Sequence, residues 1–170
     1  MNTKHILIPL DLIHGSAHAL VFARRMAMER PLSVTLLHVV DLNIASVEPS
    51  VYDQLCAEGE AALRKLARLF FGTDPAVRVV VRVGNPADEI VAEARAGAAE
   101  MIVLCGPKAP RRLRLFRRAT TRRVLDGAPC PTVVLPHPGR EARELCQPET
   151  PRASEEVYAF GSVAERAVAA

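Results

Sequence analysis

Five short apolar runs recur along this chain, and each is separated from the next by a segment long enough for a helix. They are HILIPL (5–10), LSVTLLHVV (32–40), VRVVVRV (77–83), EMIVLC (100–105) and PTVVLP (131–136). Such runs read as strands buried on both faces, which is the signature of a parallel sheet. Strand and helix in strict alternation predict a parallel sheet with helices on both faces and right-handed crossovers. Aromatic residues are 4% of the chain and tryptophan is absent, so the core is assigned to Val, Leu, Ile and Ala. A length of 170 residues suits one domain with a full core.

The intervening segments carry helical signals. In AHALVFARRMAMER, Leu20, Ala23 and Ala27 share a face with Ala19, Phe22 and Met26 beside it; Ser16 stands as the cap and Pro31 as the stop. A long helix follows the loop 41–49, with Val51, Leu55, Ala62, Leu66 and Leu69 as its apolar stripe, and Gly72 and Pro75 end it. Gly84-Asn85-Pro86 is a turn into a third helix. Asn85 caps it, Pro86 fills the first helical position, and Asp88 and Glu89 sit at the positive end of the dipole. A fourth helix is expected over 113–125.

After Leu135 the pattern changes. Pro136, Pro138, Gly139, Pro148 and Pro151 interrupt a polar stretch without core periodicity, so the reading is a domain over 1–138 and a flexible tail over 139–170. The tail string GSVAER has Ser162 and Glu165 in capping-box spacing, which predicts a short helix. Net charge is +3, divided into +5 before Arg140 and −2 from Arg140 onward. That total is too small to imply nucleic-acid binding. Cys56, Cys105, Cys130 and Cys146 show no metal-ligand spacing, so no metal site is expected. The start MNTKHILIPLD lacks the apolar region of a signal peptide, and no run approaches the ~18 residues that span a bilayer. A cytoplasmic protein without membrane association is the expectation.

Five segments in order, HILIPLD, LLHVVD, VGNPADEIVAEA, MIVLCG and VLDGAPCPTVVLP, together resemble the universal stress protein family over about residues 3–137. The resemblance implies a five-stranded parallel sheet of order 3-2-1-4-5, of the Rossmann-like adenine-nucleotide α-hydrolase type. It also implies a cytoplasmic, stress-responsive homodimer paired through the edge strand 131–136, in a family where some members bind ATP. In those members a glycine after strand four opens the pattern G-x-x-G-x(9)-G-[ST]. Its glycines admit backbone N–H groups to the phosphates, and its hydroxyl adds a donor at a helix start. Here Gly106 matches the first glycine, Ala109 and Ala119 replace the second and third, and Thr120 keeps the hydroxyl. Asp11 matches the adenosine-contacting residue and Val39 the adenine-contacting valine, while Lys108 is placed to pair with phosphate.

Alanine at a position of positive φ costs on the order of 1 kcal/mol, and Pro107 and Pro110 remove two donors. Against this, eight basic residues and no acid lie between Lys108 and Arg123. The sequence therefore favours a degenerate adenine-nucleotide site in a regulatory protein that acts by protein interaction. The alternative is an ATP or AMP sensor using Asp11, Val39, Gly106 and Thr120, with Mg²⁺ only as the companion of ATP. Arg111, Arg114, Arg118 and Arg122 form one stripe suited to an acidic protein or other anion. Nucleic acid is the least favoured partner, because Phe116 is the stretch's single aromatic and is assigned to the core. No nucleophile elbow accompanies the five histidines, so no catalytic residue is assigned.

Overall fold

The computed structural model describes residues 4–12, 17–41, 49–105 and 114–136. The strands are β1 (Lys4–Pro9), β2 (Leu32–Asp41), β3 (Val77–Gly84), β4 (Met101–Cys105) and β5 (Thr132–Leu135). The helices are α1 (Ala17–Glu29), α2 (Pro49–Phe71), α3 (Pro86–Ala96) and α4 (Arg114–Gly127). All strand pairs are parallel, in the order β3-β2-β1-β4-β5. Chain order reverses between β1 and β4, so the carboxyl ends of those two strands flank a topological switch point.

Side-chain alternation along the strands divides the core in two. Ile6 and Ile8 of β1, Val34 and Leu36 of β2 and Val103 of β4 pack beneath Leu20 and Ala23 of α1 and Leu63, Leu66 and Phe70 of α2. Leu7, Leu37, Ile102 and Leu104 face the other way, against Ala87, Ile90 and Ala94 of α3 and Val124 of α4. Asn85 caps α3 as expected, its side chain accepting from the Ala87 amide at 3.1 Å.

The stripe expected on α2 is corrected at its end. Leu69 is 38% exposed, and the helix instead buries Leu63 and Phe70 with Leu66. Leu63, Leu66 and Phe70 follow the 3.6-residue period, from which Leu69 departs by a full residue's rotation. At the sheet's edge, Val134 of β5 is 40% exposed. No helix among the described residues is long and apolar enough to cross a membrane.

Candidate functional site

The carboxyl end of the sheet is organised by a histidine. The Leu10 amide donates to Leu37 O at 2.7 Å, continuing the ladder one residue past β1. His38 of β2 then donates Nδ1–H to Leu10 O at 3.0 Å, tying down the corner that presents half-buried Asp11. The imidazole fits because α2 carries Gly59 there; a Cβ at that position would lie 3.1 Å from His38 Cδ2. Burial lowers the His38 pKa, partly offset by the Leu10 carbonyl and the Asp11 charge, which keeps the ring neutral at neutral pH. His38 is thus a hydrogen-bonded sheet residue, as its place in a strand suggested. Val39 is partly buried against the core under α3 and α4. Cys105, at the end of β4, is half-buried, and burial pushes its thiol pKa up, so it is not poised as a nucleophile. Cys56, Cys105 and Cys130 are not joined in disulfides.

The family's pattern has its hydroxyl at a helix start, whereas the helix expected over 113–125 places Thr120 inside it, and the structure does the same. α4 begins at Arg114, which makes Ala119 and Thr120 its sixth and seventh residues. Only the first four amides of a helix lack an internal partner, so the amides at 119 and 120 belong to the helix ladder. The cause is visible in the sequence: from Arg114 to Leu125 there is neither glycine nor proline, and Ala119 is the strongest helix former in place of a glycine. Gly106, Lys108, Ala109 and Arg111 lie outside the described residues, as do the side chains of Arg114, Phe116 and Arg118 and the tail readings beyond residue 136.

The basic stretch finds acids that its own segment lacks. Arg122 lies 3.8 Å from Asp126 one turn on, both side chains mostly exposed. Arg123 crosses to α3, reaching Asp88 at 2.8 and 3.0 Å and Asn85 Oδ1 at 3.2 Å. Exposed pairs of this kind contribute about 0.2–1 kcal/mol each, so they orient α4 on α3 more than they stabilise it.

A second polar constellation starts at the amino ends of β1 and β2 and runs along β3 from Arg78 to Arg82, and sequence reasoning missed it. Glu93 of α3 is 3% exposed, yet it is a carboxylate. Arg78 donates Nη2–H to its Oε1, and Arg82 donates from Nε at 2.8 Å and Nη2 at 2.5 Å to its Oε2. Arg78 Nε also donates to Thr35 Oγ1 at 3.4 Å, the two being register partners in β2 and β3. The Thr35 hydroxyl lies 2.8 Å from His5 Nε2, and His5 Nδ1 donates to Gly97 O at 2.7 Å. A Cβ on Gly97 would meet His5 Cε1 at 2.9 Å, so the close seating of this ring depends on glycine. Among the described residues no buried side-chain nitrogen or oxygen lacks a partner. The signal for this network was present: Arg78 and Arg82 stand four apart on one strand face, and Glu89 and Glu93 four apart on one helix face. No group of three or more His, Cys, Asp or Glu among the described residues could hold a metal ion.

Comparison with known proteins gives a consistent result. The profile of the universal stress protein family matches residues 2–136. A universal stress protein of Methanocaldococcus jannaschii is 28% identical over 144 residues, covering 81% of this chain and 85% of that protein. Universal stress protein UspA from Lactobacillus plantarum superimposes with a TM-score of 0.64 and 25% identity, over 79% of this chain and 99% of that one. A universal stress protein solved in complex with cAMP shares the fold at a TM-score of 0.56 and 15% identity, over 78% of this chain and 96% of that one. The five motif segments, the β3-β2-β1-β4-β5 sheet and these matches agree: the chain belongs to the universal stress protein family.

Proposed function

We propose that this protein is a stress-response regulator that acts through protein contacts as a homodimer, and that its adenine-nucleotide site is degenerate. The observation that carries this reading is the course of α4. With Ala119 and Thr120 inside the helix, two amides that a phosphate cradle would need are spent on helical hydrogen bonds. Ala109 and the two prolines at 107 and 110 remove further freedom and donors from the same loop. The positive charges around it act at long range and lose strength to salt. Dimerisation is supported by β5, an edge strand with Val134 exposed, whose pairing with its own copy would cover an otherwise open edge. The dimer would operate in the cytoplasm, with the stripe Arg111, Arg114, Arg118 and Arg122 offered to an acidic partner.

Titration calorimetry of ATP, with and without Mg²⁺, into full-length protein tests the degenerate site. No saturable heat at millimolar ATP is expected. A second reading is favoured by the strand-end geometry: Asp11 is held in place by the His38–Leu10 bond beside the switch point, with Val39 partly buried nearby. The family's cAMP-bound member shows that this fold takes an adenine nucleotide in that protein. Micromolar binding that Asp11→Ala abolishes would establish this second reading, an ATP or AMP sensor using Asp11, Val39, Gly106, Lys108 and Thr120, in place of the first.

A further inference from the structure

The arginine–glutamate network opens into a cleft of about 550 Å³, whose lining includes Ser33, Thr35, Arg78, Arg82 and Glu93 together with Pro75, Ala76 and Ala96. We propose that this cleft is a second binding site, for a small organic carboxylate with an apolar body. The volume is that of a metabolite-sized ligand site. It opens at the amino ends of β1 and β2 and runs along β3 from Arg78 to Arg82, the register partner of Val39. The proposal does not rest on the function proposed above.

Three features select a carboxylate. First, Arg78 and Arg82 line the cleft with Glu93, and Arg82 also pairs with Glu89 at 3.5 Å behind that lining, so the cleft has no positive charge to spare for a polyanion. A monoanion adds one negative charge beside buried Glu93, whereas a phosphate dianion adds two. Second, Arg78 is held in place but not used up. Its Nε and Nη2 are fixed by Thr35 and Glu93, its Nη1 makes no hydrogen bond among the described residues, and its side chain is 57% exposed. A guanidinium already immobilised loses little entropy on gripping an oxyanion. Third, the Ser33 hydroxyl spends itself on a long 3.4 Å contact with Lys4 O, and it can turn to donate to a ligand oxygen. Pro75, Ala76 and Ala96 supply the apolar part of the lining for a hydrocarbon or aromatic body.

The test is a ¹H–¹⁵N correlation titration of the full-length protein with potassium benzoate, acetate and inorganic phosphate, at ionic strength held constant with potassium chloride. Saturable shifts at the amides of Ser33, Ala76, Arg78 and Gly97 are expected. Benzoate should bind at least tenfold more tightly than acetate, and phosphate more weakly than either. Arg78→Gln should weaken benzoate at least tenfold. Arg78→Lys keeps the charge and a partner for Glu93, so it preserves the fold while losing the guanidinium fork, and it should weaken benzoate by a smaller factor. Shifts that fail to saturate, that are unchanged in both variants, or that favour phosphate would overturn the proposal. Because Asp11 and Thr120, which do not line the cleft, are read in the same spectra, a nucleotide-end event registers separately.

Discussion

The same strands build both ends of the sheet, yet the two ends hold their polar groups by different means. At the amino end a nearly inaccessible carboxylate, Glu93, is gripped by two arginines, and His5 is held at both ring nitrogens, by Gly97 O and Thr35 Oγ1. At the carboxyl end Asp11 is half-buried, and His38 is tied through Nδ1 to a single carbonyl, that of Leu10. Every member of the first group lies on a regular strand or helix or at a helix terminus. In the second group His38 lies within β2, while Asp11 stands just past the end of β1, where a strand gives way to a loop, the part of an open α/β sheet where ligands bind. The contrast separates an arginine–glutamate lock with one unengaged donor from a strand-end rim tied by His38.

The largest expected effect breaks the lock. Replacing Arg78 and Arg82 together with methionine leaves Glu93 buried without a counter-charge, and urea unfolding at neutral pH should show a loss of about 3–5 kcal/mol. Glu93→Gln should cost less, because the arginines it abandons are 57% and 35% exposed and can turn to water. If the two losses are equal, the asymmetry of burial is not what governs this end.

Next in size is a pair of glycines, one at each end. Gly97→Ala pushes a methyl against His5 Cε1 at 2.9 Å, and the ring is pinned on both sides, so a cost of about 1–3 kcal/mol is expected. Gly59→Ala meets His38 Cδ2 at 3.1 Å but gains about 1 kcal/mol of helix propensity in the interior of α2, so its net effect should be near zero. Denaturant midpoints for the two variants measure the difference in rigidity directly.

The smallest effect is a pH dependence at the carboxyl end. Burial lowers the His38 pKa below its ordinary 6.5, so the unfolded state takes up the proton first as pH falls. The stability contributed by neutral His38 is fully present above pH 6.5 and is lost as pH falls from there toward the folded pKa. His38→Gln should therefore flatten the stability profile just below pH 6.5, whereas a variant as steep as the wild type would place that proton uptake elsewhere.

The strands were legible because parallel strands buried on both faces need unbroken apolar runs, and Asn85-Pro86 announced α3 through cap chemistry. Leu69 was misplaced because a loosely amphipathic helix offers neighbouring stripes, and packing against β2 and β3 chose the one through Leu63 and Phe70. Thr120 lies inside α4, as the helix expected over 113–125 implied; a motif fixes which residue is present but not where the helix begins, and alanine in place of glycine lets the helix run through. Glu93 was invisible as a core residue, since a glutamate on a helix reads as solvent-facing until the strand beside it is known to carry Arg78 and Arg82.

The most direct test of the whole account is an ATP titration of the full-length protein followed by ¹H–¹⁵N correlation spectra, with Asp11, Val39 and Thr120 read at the carboxyl end. The account predicts no saturable shift at those three residues at millimolar ATP, with or without Mg²⁺. Saturation at micromolar ATP, with Asp11 and Thr120 moving together, would show that the cradle survives its alanines and would contradict the account.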